Sequence, residues 1–349
     1  MGNDMRFYNR VGHVELISGN GGLLRSYDGL DFRFHVKKTI GGISDKATVG
    51  ILGLNNDSIS YFSTFTDKAH QLQKNWRVRV YAGYKEEGEH LIIDGDLIRA
   101  VPSIPPENWI NMSVMCNAYR NSNMLSISTS APTKYWWSNN PESNKMYGIR
   151  IKDILDKFVK YAGYDGWKFD PAPYAWSMQL DNELEHRVKS FDCSGTQNDI
   201  IHELNLLGDF YVHVEGNTLI VSPPTYGDGD IPNTRQRLNA KRTLARGDEK
   251  FSRFRYISEG NGLVGIPQYK YPYCTMTTRI TSGIKIFDVV ELKCRYNVQA
   301  NGKYKIYEIT YDGHLRGDAW YARLNARNIM APLSDEEKKQ IVEDMKKKE

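Results

Sequence analysis

No run of apolar residues in this chain approaches the ~18 that a membrane-spanning helix needs. The N-terminus, Met1-Gly-Asn-Asp-Met-Arg6, has no apolar core of a signal peptide, and Arg6 stands where a myristoylation motif wants Ser or Thr. These absences predict a chain made in, and at first retained in, the cytoplasm, with no membrane segment. The four cysteines, Cys116, Cys193, Cys274 and Cys294, are far apart and form no C-x-x-C. Neither a zinc site nor a disulfide framework is expected from them, and they read as reduced, mostly buried thiols. The eight histidines show no H-E-x-x-H or H-x-H spacing, and no G-x-S-x-G elbow occurs. A formal net charge of +4 falls short of the basic stripe of a nucleic-acid binder.

What is present is a soluble-protein composition, 40% hydrophobic and 25% charged, with 22 Tyr and 7 Trp. Tyr and Trp join a large apolar body to a polar tip, which suits β-surfaces and subunit interfaces. At 349 residues the chain is long enough for about two to three domains.

Residues 1–132 read as all β. Strand candidates are His13 to Ile17, Leu30 to Lys37, Lys46 to Leu54, Trp76 to Tyr84, Leu91 to Val101, Ile110 to Asn117 and Met124 to Thr129, separated by Gly, Asn, Asp and Pro clusters. In Trp76–Tyr84 the period of two is clear, Val78 and Val80 alternating with Arg77, Arg79 and Tyr81. Pro102, Pro105 and Pro106 end a strand. A boundary is expected at 132–145, a Pro, Ser and Asn-rich stretch carrying Trp136 and Trp137, which are expected to pack on a neighbouring domain.

From Ile149 the period becomes 3.6, with Ile151, Ile154, Leu155, Phe158, Val159 and Ala162 on one face and Gly163 as the stop. A second helix should start at Thr196, where Thr-x-x-Asp forms a capping box, bury Ile200, Leu204 and Leu207, and end at Gly208. A hairpin follows, Phe210–Val214 and Thr218–Val221, so residues 146–224 make a small α+β module. Residues 225–250 form a polar connection. The β pattern returns over 251–332, where Asn301-Gly302 predicts a type I′ turn between Asp288–Lys293 and Tyr304–Thr310. Residues 333–349, from Ser334-Asp-Glu-Glu337 to Lys346-Lys-Lys348, predict a charged, solvated C-terminal helix.

The chemical candidates are sparse. Gly19-Asn-Gly-Gly22 lacks the rest of a phosphate loop and reads as a glycine-rich turn. Asp94-Gly-Asp96 and Asp228-Gly-Asp230 lack the remainder of a calcium loop and read as turn acids. Glu183-Leu-Glu-His186 sets carboxylates beside an imidazole, either a surface segment or an acid-base pair. Arg316-Gly-Asp318, between two strand candidates, reads as a turn. Catalytic, cofactor-binding and metal residues are therefore none, and no cofactor is expected.

Three stretches carry a resemblance. Ala47-Thr-Val-Gly-Ile-Leu-Gly-Leu-Asn55 with Val78–Tyr84 and Leu91-Ile-Ile-Asp-Gly-Asp-Leu-Ile98 resembles the first β-domain of baseplate hub proteins from contractile-tailed bacteriophages. Gly302 to Tyr321 is similar to their last β-domain, and Ile149–Gly163, Phe191–Gln197 and Gly216–Val221 to their middle region. The resemblance implies an α+β, mainly β chain with two tail-tube-like β-barrel domains, 1–132 and 251–332, flanking the central module. It implies a homotrimer between the tail tube protein and the central spike protein, with baseplate wedge proteins and the tape measure as further partners, in the virion tail. Type VI secretion spikes share this architecture, but the long repetitive C-terminal β-helix of those spikes is lacking here, which makes the piercing tip a separate protein. Neither specific nucleic-acid binding nor enzymatic activity is implied. The competing expectations are a peptidoglycan-acting hydrolase using Glu183 and Glu185, and an OB-like nucleic-acid binder.

Overall fold

A computed structural model of the chain describes residues 9–19, 21–39, 45–63, 76–103, 109–116, 125–130, 148–169, 184–188, 190–207, 210–215, 218–222, 255–280, 284–286 and 288–328. The chain is mainly β, with three α-helices among those residues. It divides into two compact units, the first made of Met1–Tyr119 with Arg255–Ala326 and the second of Arg120–Phe254 with Arg327–Glu349.

The first unit contains β1 (Arg10–Ile17), β2 (Leu23–Tyr27), β3 (Asp31–Thr39), β4 (Lys46–Leu52), α1 (Asn56–Ser63), β5 (Arg77–Tyr84), β6 (Gly88–Pro102) and β7 (Trp109–Met115). The second contains β8 (Leu125–Ser130), β9 (Ile149–Arg150), α2 (Ile151–Ala162), β10 (Gly166–Phe169), β11 (Arg187–Val188), β12 (Ser190–Gly195), α3 (Gln197–Leu204), β13 (Tyr211–Glu215) and β14 (Thr218–Ser222). The chain then returns to the first sheet with β15 (Arg255–Ser258), β16 (Leu263–Lys270), β17 (Tyr273–Arg279), β18 (Val289–Lys293), β19 (Gly302–His314) and β20 (Trp320–Asn328).

One hydrogen-bonded path runs β16-β17-β20-β19-β3-β4-β7-β6-β5-β1-β2, with β18 also on β19 and β15 on β18. Among the described residues this path is open at β16 and β2. The join between the two ends of the chain is the antiparallel pair β3–β19, in register from Thr39↔Glu308 to Arg33↔His314. The first half of β19 pairs with β18 and its second half with β3. Alternation drives one face of every strand inward. Val14, Phe32, Val49, Val80, Met276, Leu292, Ile306 and Leu324 accordingly lie in one contiguous apolar cluster drawn from both chain ends.

Several local expectations differ from the structure. The segment 1–132 is not all β, because α1 interrupts it. Asn55 starts that helix, its side-chain oxygen accepting the Ser58 N–H at 2.9 Å, and Phe62 buries the inner face. Leu23–Tyr27 is a strand that the sequence reading omitted. Leu125–Ser130, placed with the first β-region, pairs instead with β12, from Leu125↔Gly195 to Ser130↔Ser190. Asp94-Gly-Asp96 lies inside β6 rather than in a turn. A Cβ on Gly95 would come 2.8 Å from Val114 Cγ1, so this glycine serves the approach of β7. Asn301-Gly302 is not a type I′ turn, since Asn301 has φ −66 and ψ 136, an extended residue. A 3-10 turn, Val298–Ala300, reverses the chain first, and the Asn301 side-chain oxygen accepts the Cys294 N–H at 2.6 Å.

In the second unit α2 ends as expected, on Gly163 at φ 73 with its N–H bonded to the Val159 carbonyl. The capping box of α3 is present. Asp199 N–H donates to the Thr196 hydroxyl, and the Asp199 carboxylate accepts the Thr196 N–H at 2.7 Å. The helix stops at Leu204, short of Gly208, because the buried Asn205 side chain takes over: it donates to the Val212 carbonyl at 3.3 Å and accepts the Val212 N–H at 2.5 Å. Strands β13 and β14 form the expected hairpin, and β10 adds to β14 in parallel. Thr196→Ala should cost about 1 kcal/mol, read as a lower urea midpoint for the second unit. Hydrogen bonds from Thr196, side chain first, hold the Asp199 carboxyl below the usual range. A depressed carboxylate stabilises above its unfolded pKa, so this cap weakens as the pH falls through the carboxylate range. Trp136, Trp137, residues 225–250 and residues 333–349 lie outside the described residues.

Candidate functional site

The β3–β19 pair joins segments that lie far apart in the sequence, and its two faces do different work. On the inner face Phe32 and Phe34 stack at 5.9 Å between ring centroids. Trp320, first residue of β20, meets both edge-on, at 6.2 and 5.6 Å. Its indole N–H donates to the Gly83 carbonyl at 3.3 Å, which ties β20 to the end of β5. Two glycines make room for these rings. A Cβ on Gly12 would lie 2.7 Å from Phe32 Cζ, and one on Gly313 would lie 2.2 Å from Phe34 Cζ.

The outer face is laced by charge. Asp31 on β3 meets His314 on β19 at 3.1 Å, and in the opposite sense His35 on β3 meets Asp312 on β19 at 2.6 Å. Lys37 and Glu308 pair at 2.8 Å. The Arg33 guanidinium lies 4.5 Å from the Trp109 ring centroid. Arg10 of β1 donates to the carbonyls of His314, Gly317 and Asp318. The Arg316 N–H donates to the Asp31 carboxylate at 3.1 Å. Arg316-Gly-Asp318 is thus the turn expected of it, and it is held by N-terminal residues.

The histidine–aspartate pairs are neighbours on a solvated strand pair, and among the described residues no serine or cysteine is hydrogen-bonded to them. Burial pushes the Cys116 thiol well above its ordinary range, and Cys274 up to about 12, so these two thiols are poor nucleophiles. Among the described residues no cluster of three or more His, Cys, Asp or Glu side chains is placed to hold a metal. Nor is any helix among them long and apolar enough to cross a membrane. Of the proposed acid-base residues, Glu183 lies outside the described residues. Glu185 is half-exposed and accepts Arg150 Nη1 at 3.4 Å, and His186 gives its carbonyl to the Ile151 N–H. Asp94 is engaged by Arg77 and Arg79 at 3.0 and 3.1 Å, and Asp228 and Asp230 lie outside the described residues. Gly19, Gly21 and Gly22 lie in a turn, closed by the Ser18 N–H donating to the Gly22 carbonyl at 2.8 Å.

Residues 14–148, which run from the second half of β1 to beyond β8, align with the protein family described as "Baseplate hub gp41". This segment matches a baseplate hub family. The resemblance to baseplate hub proteins thus has a family match over this segment, which includes β3 of the β3–β19 seam. The structure is also similar to the 43 kDa tail protein of prophage MuSo2 from Shewanella oneidensis, with a TM-score of 0.52 at 10% identity over 91% of this chain and 99% of that one. At that identity the likeness shows the fold alone. A tail protein from Neisseria meningitidis MC58 aligns at a TM-score of 0.49 and 10% identity, covering 91% of this chain and 96% of that one. A type VI secretion component of E. coli aligns at 0.47 and 7% identity, covering 87% and 74%. These last two scores carry no argument. No curated protein matches the chain significantly.

Proposed function

We propose that the chain is a non-enzymatic structural hub of a phage tail baseplate, a homotrimer that joins a six-fold tail tube to a three-fold central spike. The hub-family match over residues 14–148 is the observation that carries this reading. Its physical logic is symmetry adaptation. A trimer with two β-barrel, tube-like domains per chain, 1–132 and 251–332, presents six similar positions to the tube and three equivalent ones to the spike. The extensive β3–β19 pairing supports it, since two β-regions fused into one sheet keep a fixed spacing under load. The tail tube and spike proteins are the direct partners, with wedge proteins and the tape measure adjoining. The protein is made in the host cytoplasm and ends in the virion.

Co-expressed with the tail tube and spike proteins of the same genome, the chain should co-sediment with both. On a peptidoglycan zymogram it should give no clearing; clearing that vanishes in Glu185→Gln would contradict the non-enzymatic reading. Single-stranded DNA should bind only weakly and with a steep loss on adding salt. Tight binding at physiological salt would favour the nucleic-acid reading instead.

A further inference from the structure

Four exposed apolar side chains gather on β16 and the adjoining 3-10 turn, where Val264, Ile266, Tyr296 and Val298 are 40, 63, 76 and 68% exposed. Asn297 Nδ2 donates to the Pro267 carbonyl at 3.0 Å and so holds the turn against β16. Single exposed apolar side chains are ordinary, but a group of four on one sheet edge marks a contact surface. Strand β16 is poorly suited to take on another strand. Its register with β17 breaks between Val264 and Gln268, Gly265 is left-handed at φ 71, and Pro267 has no N–H to offer. Whatever covers the patch must therefore pack on side chains. The rim carries both signs of charge, Lys270 and Arg295 with Glu259, which accepts the Arg295 N–H at 2.7 Å. Apolar burial rather than charge selects the occupant.

The N-terminal end of β1 is pinned next to the start of β16. Asn9 extends the β1–β5 pair by one residue, its carbonyl accepting the Lys85 N–H at 2.8 Å, and its side chain donates to the Glu86 carboxylate at 2.7 Å. Arg10, bonded to the carbonyls of His314, Gly317 and Asp318, fixes the direction in which the chain enters. The Arg279 guanidinium lies 5.8 Å from the Tyr84 ring centroid at the same hairpin, and the Arg279 N–H donates at 2.9 Å to the Gly262 carbonyl, just ahead of Val264. Hydrogen bonds, that of the Asn9 side chain first, and the charges of Lys85 and Arg279 hold the Glu86 carboxyl below its usual range, which ties Asn9 and Arg279 to one carboxylate. Residues 1–8, Met-Gly-Asn-Asp-Met-Arg-Phe-Tyr, lead into this point and belong to the same compact unit as the patch. A segment of that length spans at most about 26–29 Å when extended, with Met5, Phe7 and Tyr8 as its apolar bulk nearest the anchor. We propose that residues 1–8 form an arm that folds back over this patch of its own chain, with Phe7 on Val264 and Ile266 and Met5 reaching Tyr296 and Val298. A short tether gives the arm a local concentration on the order of millimolar, so it occupies the patch ahead of a free partner and shields β16 in the isolated chain. The contact belongs to the free chain and does not rest on the hub reading.

Hydroxyl-radical footprinting of the full chain tests the arm. Tyr296 and Val298 should be oxidised several-fold faster in Phe7→Asp than in the wild type, and Phe7→Leu, which keeps the apolar body, should stay close to the wild type. Tyr161, exposed on α2 of the second unit, is the internal control and should react alike in all three. Equal Tyr296 rates in the wild type and Phe7→Asp overturn the arm. In a chain carrying both Phe7→Cys and Ile266→Cys, a short bis-maleimide should link the two positions within one monomer, above the background of the single variants, whose Cys274 and Cys294 are buried. Links formed only between chains, or Tyr296 protection that is lost on dilution, would place a second copy on the patch and overturn the arm as well.

Discussion

Gly313→Ala is expected to destabilise the first unit by about 3 kcal/mol, a fall of roughly 6–12 °C in melting temperature for a unit of this size. The added methyl would sit 2.2 Å from Phe34 Cζ and 2.3 Å from Cε1. Phe34 cannot step aside, because it is 4% exposed and held between Phe32 and Trp320. Overpacking of this kind forces a backbone shift in β19 at the strand pair that joins the chain's two ends. Gly260→Ala, where an added Cβ meets nothing within 4 Å, is the matched control and should change stability by less than ~0.5 kcal/mol. Combining Gly313→Ala with Phe34→Leu should recover part of the loss, since the two residues share one space. A melting temperature for Gly313→Ala equal to the wild type would show that the seam is not packed as described.

Trp320→Ala should cost about 3–5 kcal/mol, the range for deleting a large buried aromatic. It removes two edge-on ring contacts and the indole hydrogen bond to Gly83. The pattern of the loss is more informative than its size. If the two chain ends form one cooperative sheet, amides of Val78 and Val80 in β5 and of Leu292 and Ile306 in the C-terminal strands should lose hydrogen-exchange protection together. Loss confined to the C-terminal strands would mean that the seam does not couple them.

Local elements were legible in the sequence wherever one physical signal dominated. The 3.6 period of Ile151, Ile154, Leu155 and Phe158 with Gly163 as stop, and the Thr196–Asp199 capping box, gave helices at those positions. Alternation gave β3 to β7 to within a few residues. The failures share a cause, which is that short motifs serve contacts far away in sequence. Asn301-Gly302 looks like a hairpin turn, yet Asn301 is spent on the Cys294 amide. Asp94-Gly-Asp96 looks like a turn, yet Gly95 is there for Val114 and Asp94 for Arg77 and Arg79. Helix α1 is short, and only Asn55 and Asp57 announced it. Asp31 and His314 are 283 positions apart, and no local pattern encodes that pairing. For the same reason Phe32 and Phe34 read only as parts of a strand, Gly313 and Trp320 only as parts of the Gly302–Tyr321 resemblance, and Arg10 carried no signal. The proposed function came through resemblance rather than chemistry, because no motif in the sequence carries the complete spacing of a reactive or ligand-binding site.

The central claim, a trimeric hub between tube and spike, is tested most directly by imaging the assembled tail at a resolution that traces chains. The expected result is one layer with three copies of this chain, in which residues 1–132 and 251–332 alternate around six positions beneath the last tube ring. A layer holding six copies, or a single copy on the axis, would contradict it.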